Sequence, residues 1–128
     1  MNSRILADTD VMIDFLRGYG DAVRLVRSDP KRISLSTVTV AELYAGVKGQ
    51  AEQEILDTIT SRFEILPVTA EIGRLAGHLK QNFGKSHGVA ITDALIAATA
   101  MEEGRELATL NVKHFPMFKG LKPAYTKA

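Results

Sequence analysis

Short, largely apolar runs alternate with amphipathic segments along the chain, and this alternation constrains the fold more than any other feature. The runs at residues 4–8, 32–36, 63–67 and 106–109 have the length and character of buried strands. The segments between them repeat apolar residues at helical spacing. Strands that alternate with helices predict an α/β fold, with a mostly parallel sheet covered by helices on both faces.

Six segments have the spacing of helices. In residues 70–83 the apolar side chains fall on one face, which predicts an amphipathic helix. Residues 93–101 are apolar on all sides and rich in small side chains, so we expect a buried helix that Gly104 ends. A further strand is expected after Gly120. The other four predicted helices are residues 11–16, 21–28, 38–46 and 52–62.

Length and composition predict one globular domain that spans residues 1–128. The chain has 128 residues, of which 45% are hydrophobic and 24% charged, and a domain has roughly 100–200 residues. Because cysteine is absent, a disulfide framework, a thiolate zinc site and a cysteine nucleophile are excluded. No apolar stretch approaches the roughly 18 residues that span a bilayer, and the first residues do not resemble a signal peptide. We therefore expect a cytoplasmic protein with no membrane segment.

The distribution of charge carries more information than its sum. The formal net charge is only +1, which is too small to indicate a nucleic-acid-binding protein from bulk electrostatics. However, residues 72–92 and the chain from Leu107 onward contain no Asp or Glu. A scatter of solvated lysines explains this pattern as well as a basic face does. Five lysines of these acid-free segments that would contribute to such a face are Lys80, Lys85, Lys113, Lys119 and Lys122.

Asp8 directly follows the first predicted strand, where open α/β sheets bind ligands and carry out chemistry. Alternatively, Asp8 or Asp10 simply caps the next helix, since aspartate is favoured at that position. One of the two residues can cap the helix and leave the other free for chemistry. Asp8 is therefore the first candidate for a functional residue.

Two further acids lie in apolar surroundings, where an ionised side chain is costly unless it has a partner. Glu42 is one of them, but Thr39 and Glu42 also fit a capping box, in which the glutamate bonds back to the start of a helix. Asp93 begins the most apolar predicted helix, where the helix dipole favours an ionised acid for structural reasons alone. The same placement suits a metal ligand that must stay deprotonated.

If Asp8, Glu42 and Asp93 all lie at one end of the sheet, they form a cluster of oxygen ligands. Like charges this close repel one another, so the cluster requires a cation. Oxygen ligands without His or Cys favour Mg²⁺ or Mn²⁺. Such an ion lowers the pKa of bound water and stabilises the transition state of phosphoryl transfer. The histidines show no metal-ligand spacing, and the chain has no phosphate loop or serine-hydrolase motif.

Four sequence blocks, taken in order, resemble those of a known family. They are residues 6–14 (LADTDVMID), 38–43 (VTVAEL), 93–100 (DALIAATA) and 107–115 (LATLNVKHF), followed by Gly120 and Leu121. Their order and spacing resemble those of PIN-domain proteins. Together with the chain length, they resemble the VapC toxins of bacterial and archaeal toxin–antitoxin pairs.

The resemblance implies a three-layer α/β/α PIN-like fold with a metal-dependent ribonuclease site. Position by position, Asp8, Glu42 and Asp93 match the acidic triad of the family. Asp8 and Asp93 are expected to bind Mg²⁺ or Mn²⁺ directly, and Glu42 through a water. Thr9 and Thr109 match small hydroxyl-bearing positions beside the triad.

Two departures from the family pattern concern the charge of the site. Asp10 stands where the family often has Asn, and Asn111 stands where many members have a fourth acid. Because an amide oxygen can bind a metal or a water but adds no charge, a second metal ion is left open. Asp10 is the residue that would restore the lost charge.

The predicted function is a metal-dependent endoribonuclease that cleaves single-stranded or loop RNA and acts as the toxin of a toxin–antitoxin pair. The five lysines named above are the expected RNA contacts. The resemblance also implies a homodimer, with an antitoxin bound near the active site. A homodimer further agrees with a set of apolar residues that exceeds one small core, namely Phe15, Leu16, Val40, Leu43 and Tyr44.

Two other functions remain open. Asp8 and Asp10 after a strand also fit haloacid-dehalogenase-type phosphotransferases, with Asp8 as nucleophile and Asp10 as acid. That family requires late acids that bind Mg²⁺, whereas no acid follows Glu106 in this chain. The other alternative is a catalytically silent PIN-like module that only binds RNA or a partner. The presence of all three triad acids argues against it.

Overall fold

Four short strands form one sheet at the centre of the molecule, in a computed structural model that describes residues 3–127. The strands lie in the order β3-β2-β1-β4, and every pairing between them is parallel. The predicted α/β fold with a parallel sheet is therefore confirmed. The strands are β1 (Ile5–Ala7), β2 (Ile33–Ser36), β3 (Glu64–Leu66) and β4 (Glu106–Ala108).

Within the described residues, six α-helices surround this sheet, as the periodicity predicts. None of them is long and apolar enough to cross a membrane. The helices are α1 (Thr9–Leu16), α2 (Gly20–Ser28), α3 (Thr37–Ala45), α4 (Gly49–Thr60), α5 (Ala70–His87) and α6 (Ile91–Glu102). Two short 3₁₀ turns lie at Pro30–Arg32 and Val112–His114.

Alternate residues of β1 enter two separate cores, which gives the molecule three layers. Leu6 packs into the core beneath helices α5 and α6, whereas Ile5 and Ala7 pack into the core beneath α1, α2, α3 and α4. Because neighbouring residues of a strand face opposite sides, this is the pattern of a sheet buried on both faces. The expected α/β/α layering is confirmed.

The residues at the helix ends explain which predicted helix boundaries agree with the structure and which do not. Gly104 follows α6 with φ 63°, and the N–H of Arg105 donates to the carbonyl of Ala100 at 2.9 Å. This is the glycine-terminated motif expected at that position. Helix α5 continues past residue 83, because Gly88, with φ 66° and its N–H bonded to Gly84, is the glycine that ends it.

The expected strand after Gly120 is wrong for the described residues 3–127. Residues 120–127 form no strand, although the N–H of Ala124 donates to the carbonyl of Thr109 at 2.9 Å, just beyond β4. Pro123 has no N–H and therefore cannot continue a ladder of hydrogen bonds along β4.

Most of the apolar residues that are expected to remain outside the core pack into it. Leu43 is buried, and Phe15, Val40 and Tyr44 are partly buried against the core beneath α1 to α4. Only Leu16 of that set is among the exposed large hydrophobic residues, at 37%. The surplus of apolar residues is therefore not an argument for a homodimer.

The strand order creates a crevice at the carboxyl end of β1. The chain runs from β1 to β2 and β3 on one side, and later returns to β4 on the other side of β1. Ligands of open α/β sheets bind at such a reversal of strand order. The N–H of Asp8 donates to the carbonyl of Ala108 at 2.8 Å across this crevice, so the ends of β1 and β4 are held together.

Candidate active site

Asp8 lies at the reversal of strand order and is almost fully buried, with 7% of the residue exposed. One carboxylate oxygen accepts from the N–H of Thr9 at 2.8 Å, so Asp8 is the N-cap of helix α1. The other oxygen accepts from the hydroxyl of Thr109, which follows β4, at 2.8 Å. Asp8 therefore caps a helix and also lies in the crevice, so the two interpretations of its position are compatible.

The surroundings of Asp8 disfavour its negative charge. Burial is the largest effect and, together with the nearby charge of Asp10, raises the pKa of Asp8 to about 6. The hydrogen bonds from Thr109 and Thr9 oppose this rise without cancelling it, and Asp93 adds a smaller repulsion. A buried carboxylate with a raised pKa requires a proton or a cation beside it.

Glu42 is connected to Asp8 through Thr9. The hydroxyl of Thr9 donates to the carboxylate of Glu42 at 2.6 Å, and Thr9 itself follows Asp8 at the start of α1. The capping box of Thr39 and Glu42 is wrong, because α3 begins at Thr37 with Ser36 as its N-cap, whose hydroxyl accepts from the N–H of Val38. Glu42 is exposed and lies in the interior of α3.

Thr39 is a neighbour of the site that the sequence did not identify. Its side chain is fully buried in the first turn of α3, and its hydroxyl lies 3.2 Å from that of Thr9. The spacing of Thr39 and Glu42 favoured a cap, and only the register of α3 shows that both residues face Thr9.

Asp93 lies in the first turn of α6 and is partly buried, with 21% of its side chain exposed. Burial raises its pKa, and the charges of Glu42 and Asp10 add to this effect. His114 opposes the rise, because its Nδ1 atom lies 3.5 Å from a carboxylate oxygen of Asp93. The sequence did not identify this role of His114, because the 3₁₀ turn that carries it meets α6 only in the folded chain.

Asp10 ties helix α1 to the loop after β4. One carboxylate oxygen accepts from the N–H of Val11 at 2.7 Å. The other accepts from the N–H of Leu110 at 2.9 Å and from the hydroxyl of Thr109 at 3.3 Å. Its negative charge nevertheless raises the pKa of Asp8 and Asp93. Asp10 therefore adds to the negative electrostatic potential at the cluster.

Asn111 reaches the cluster through its backbone. The residue is exposed, and its N–H donates to the hydroxyl oxygen of Thr109 at 3.1 Å. Thr109 thus accepts from Asn111 and donates to Asp8, so it links the loop after β4 to the buried acid. This arrangement supports Thr109 as a residue that positions Asp8.

The donors of the cluster suit a hard divalent cation, but their arrangement is not that of a closed metal site. All of them are carboxylate oxygens, which are the ligands that Mg²⁺ and Mn²⁺ prefer. Among residues 3–127, however, no three His, Cys, Asp or Glu side chains are grouped so that they could hold a metal ion. The carboxylates of Asp8 and Glu42 instead accept the hydrogen bonds of Thr9 and Thr109. A cation therefore requires other side chains of the cluster to move towards Asp8, whose two oxygens can each accept a further partner.

The five lysines expected to contact RNA are all exposed, and none of them forms an ion pair among the described residues. Lys113 is next to His114 and is thus the nearest in sequence to a residue that contacts Asp93. The ammonium of Lys80 donates to the carbonyl of Val89 at 2.6 Å, which ties α5 to the loop before α6. Lys85, Lys119 and Lys122 lie on the surface of α5 and of the chain after the second 3₁₀ turn.

A groove of about 470 Å³ lies next to the cluster, between helices α1, α3 and α4. Of the acids in the cluster, Glu42 is the one that lines the groove. Its lining also includes Leu16 and Ile55, of which Ile55 is 57% exposed. Large exposed apolar side chains around a groove are typical of a surface that binds another molecule.

Comparison of the sequence with known proteins gives one consistent family. The family model described as PIN domain matches residues 5–116. Ribonuclease VapC10 of Mycobacterium tuberculosis is 40% identical over 124 residues, which cover 94% of this chain and 92% of the relative. Ribonuclease VapC1 of Methanocaldococcus jannaschii is 32% identical, over 94% of this chain and 86% of the relative.

Comparison with solved structures agrees with this result. A chain of a toxin–antitoxin complex from Klebsiella pneumoniae has a TM-score of 0.82 and 27% identity, over 94% of this chain and 98% of that chain. A chain of VapBC2 from Rickettsia felis, bound to a DNA fragment from its promoter, has a TM-score of 0.72 and 25% identity, over 91% and 94%. With a family model over most of its length and a 40% identical relative over nearly all of it, the chain belongs to the PIN-domain family and to its VapC-type members.

Proposed function

We propose that this chain is a metal-dependent endoribonuclease and the toxin of a toxin–antitoxin pair. The observation that carries the proposal is the buried pair of Asp8 and Thr109 at the reversal of strand order, coupled in charge to Asp10 and Asp93. Relatives at 40% and 38% identity are ribonucleases. The catalytic residues in this proposal are Asp8, Glu42 and Asp93.

Asp8 and Asp93 would hold Mg²⁺ or Mn²⁺ directly, and Glu42 would act through a water. The cation, when bound, lowers the pKa of bound water and stabilises the charge of the phosphoryl transition state. The N–H of Thr9 and the hydroxyl of Thr109 fix both oxygens of Asp8, so this ligand is held before the substrate arrives. Such preorganisation avoids a cost of reorganisation during the reaction.

Glu42 has the position of a proton acceptor. Its carboxylate is exposed and is oriented by the Thr9 hydroxyl at 2.6 Å. A carboxylate oxygen placed in this way can take the proton of a water that attacks phosphorus. Thr9 thus contacts both acids, since its N–H donates to Asp8 and its hydroxyl donates to Glu42.

The substrate in this proposal is single-stranded or loop RNA. Unpaired strands can bend into an acidic site, and their bases are accessible to side chains. The lysines at positions 80, 85, 113, 119 and 122 would offset the repulsion between the acids and the incoming phosphates. RNA binding is therefore expected to weaken as the salt concentration rises.

The groove beside Glu42 is the proposed site for an apolar segment of the antitoxin. It combines exposed apolar side chains with one acid of the cluster, Glu42, in its lining, and the similar Klebsiella pneumoniae chain comes from a toxin–antitoxin complex. An antitoxin bound there would cover the entrance to the site. A homodimer and a cytoplasmic location belong to the same proposal and rest on the family resemblance.

The test compares four reactions on one structured RNA: the parent chain and Asp8→Asn, each with Mg²⁺ and with EDTA. Only the parent chain with Mg²⁺ should cleave rapidly, with rates at least about 10³-fold above the other three, since metal catalysis supplies several kcal/mol. Glu64→Gln is a matched control, because Glu64 lies at the opposite, amino end of the sheet. It should cleave like the parent.

Equal cleavage in all four reactions would point to a contaminating nuclease and contradict the enzymatic proposal. No cleavage by the parent, together with preserved RNA binding, would favour the catalytically silent module. A covalent phosphate on Asp8 would favour the phosphotransferase alternative.

A further inference from the structure

Asp14 is a buried acid on helix α1 that the proposed reaction does not use. It is 6% exposed, and both of its carboxylate oxygens have partners from the segment after Gly120. The hydroxyl of Tyr125 donates to one oxygen at 2.7 Å, and the ammonium of Lys127 donates to the other at 2.9 Å. This segment lies beyond residues 5–116, the part of the chain that matches the family.

Aromatic contacts strengthen the attachment of this segment to the end of α1. The rings of Tyr125 and Tyr19 have centroids 5.7 Å apart. The ammonium of Lys127 lies 5.1 Å from the centroid of the Tyr19 ring, within the range of a cation–π contact. Residues 125–127 are therefore docked on α1 by hydrogen bonds, charge and ring packing together.

The same segment also holds the end of β4. The N–H of Ala124 donates to the carbonyl of Thr109 at 2.9 Å. The hydroxyl of Thr109 in turn donates to Asp8. Thr109 is thus fixed through its carbonyl by the segment, while its side chain fixes the buried acid of the cluster.

Asp10 and Asp14 attach one face of α1 to the part of the chain that follows β4. They are four residues apart and therefore lie on the same side of the helix. Asp10 accepts from the N–H of Leu110 at 2.9 Å, and Asp14 accepts from Tyr125 and Lys127. Two attachment points along one face fix both the rotation of α1 about its axis and its position along that axis relative to β4.

A buried acid is a costly way to attach a helix if packing alone is required. Burial on its own would raise the pKa of Asp14, but the hydrogen bonds from Lys127 and Tyr125 lower it below its usual value. The Lys127 side chain is 49% exposed, so the ion pair is only partly buried and adds little stability through its charge alone. What the ion pair adds is a single defined geometry, because its hydrogen bonds are directional.

We propose that Asp14, Tyr125 and Lys127 form a clamp that positions the active site by holding helix α1 in register with the end of β4. The clamp keeps Asp8 and Thr109 at hydrogen-bonding distance and is made of positioning residues, not catalytic ones. This inference rests on the proposed function, since the clamp affects a reaction only if Asp8 belongs to the active site.

The test uses Tyr125→Phe, Lys127→Gln and the conservative variant Lys127→Arg in the full chain. Glu64→Gln is the matched control, because it removes a carboxylate partner of Arg105, at 2.9 Å, at the amino end of the sheet. Tyr125→Phe and Lys127→Gln should lower kcat for RNA about tenfold and leave KM within about twofold, since small misplacements of catalytic groups reduce the chemical step. Lys127→Arg and the control should keep the parent kcat.

Hydrogen exchange of the Leu110 N–H provides a second readout that does not depend on cleavage. This N–H bonds to Asp10 at the far end of α1 from the clamp. In Tyr125→Phe it should exchange at least about fivefold faster than in the parent and in Glu64→Gln, because a loosened helix opens more often.

The two readouts separate failure of the clamp from failure of the proposed function. Parent-like kcat and parent-like Leu110 exchange in Tyr125→Phe would overturn the clamp while leaving the nuclease intact. A lowered kcat with unchanged exchange would also overturn it, because the effect would not pass through α1. If the parent chain does not cleave RNA, the proposed function fails. Faster Leu110 exchange in Tyr125→Phe would then show only that the segment attaches to α1. The clamp would have no catalytic role, and the inference would be overturned.

Discussion

At the scale of single residues, the catalytic role proposed for Asp8 conflicts with the stability of the protein. The Asp8 carboxylate is almost fully buried, and burial together with the charge of Asp10 raises its pKa to about 6. The unperturbed value is 3.8. Without a cation, ionisation of Asp8 in the folded protein is therefore unfavourable, and it lowers the free energy of unfolding. Functional sites commonly carry such a penalty.

This conflict predicts that Asp8→Asn stabilises the metal-free protein at pH 7.5. Since the folded pKa is above the unfolded one, the folded state binds more protons between pH 3.8 and about 6, and stability falls as pH rises through that window. At roughly 1.4 kcal/mol per pKa unit, the loss for Asp8 is about 3 kcal/mol. Asparagine does not ionise, and its oxygen can still accept from the Thr9 N–H. Urea unfolding in EDTA measures the difference, which should shrink at pH 4.

Asp14→Asn is the control, and its effect on the free energy of unfolding should be opposite to that of Asp8→Asn. The pKa of Asp14 is lowered, because the hydrogen bonds from Lys127 and Tyr125 outweigh its burial. Its contribution to stability is therefore present above pH 3.8 and is lost as pH falls through the folded pKa. Asp14→Asn should destabilise the protein at pH 7.5. If Asp8→Asn destabilises it equally, the burial penalty assigned to Asp8 is wrong.

The sequence predicts the candidate acids better than it predicts their partners. Asp8 is predicted from the end of a strand and Asp93 from the start of a helix. Glu42 is predicted from apolar sequence surroundings, although the folded chain exposes it. The family resemblance supports all three. Their partners depend on contacts between distant segments. Thr9 and Glu42 are 33 residues apart in the chain, and Thr109 and Asp8 are 101 residues apart. No local pattern encodes such pairs.

At the scale of helices and strands, capping residues decide which side chains reach the site. Ser36 caps α3 and so sets its register, which turns both Thr39 and Glu42 towards Thr9. Apolar periodicity predicts all six helices, because each must bury one face. It does not predict which of two glycines ends α5, since Gly84 is tolerated inside the helix and Gly88 is not constrained by any apolar pattern.

Two glycine substitutions test this account of the helix ends and should have opposite signs. Gly104→Ala places a side chain at φ 63°, where L-residues are strained, and should destabilise the protein by about 1–2 kcal/mol. Gly77→Ala lies inside α5, where the added Cβ meets nothing within 4 Å, and should stabilise the protein by roughly 0.5–1 kcal/mol.

Urea unfolding of both variants at one pH is the measurement. Equal and unfavourable effects of the two substitutions would show that Gly104 and Gly77 do not have the different roles assigned to them.

At the scale of the whole molecule, the site exists only where distant segments meet. Asp8 follows β1, Glu42 lies on α3, Asp93 starts α6 and Thr109 follows β4. The alternating pattern predicts a parallel sheet, and the sheet brings the strand ends together. No fifth strand follows Gly120 in the described residues 3–127. Pro123 is visible in the sequence and already argues against a strand there, because it has no N–H for a ladder.

The most direct test of the central claim is a calorimetric titration of Mn²⁺ into the parent chain, Asp8→Asn and Glu64→Gln at pH 7.5. We expect Mn²⁺ to bind to the parent and, with the same affinity, to Glu64→Gln. Loss of a ligand in Asp8→Asn should weaken this site at least about tenfold, in line with the cost of disturbing a metal site. Equal Mn²⁺ affinity in Asp8→Asn and the parent, or no binding by the parent, would contradict the assignment of the acidic cluster as a metal-dependent active site.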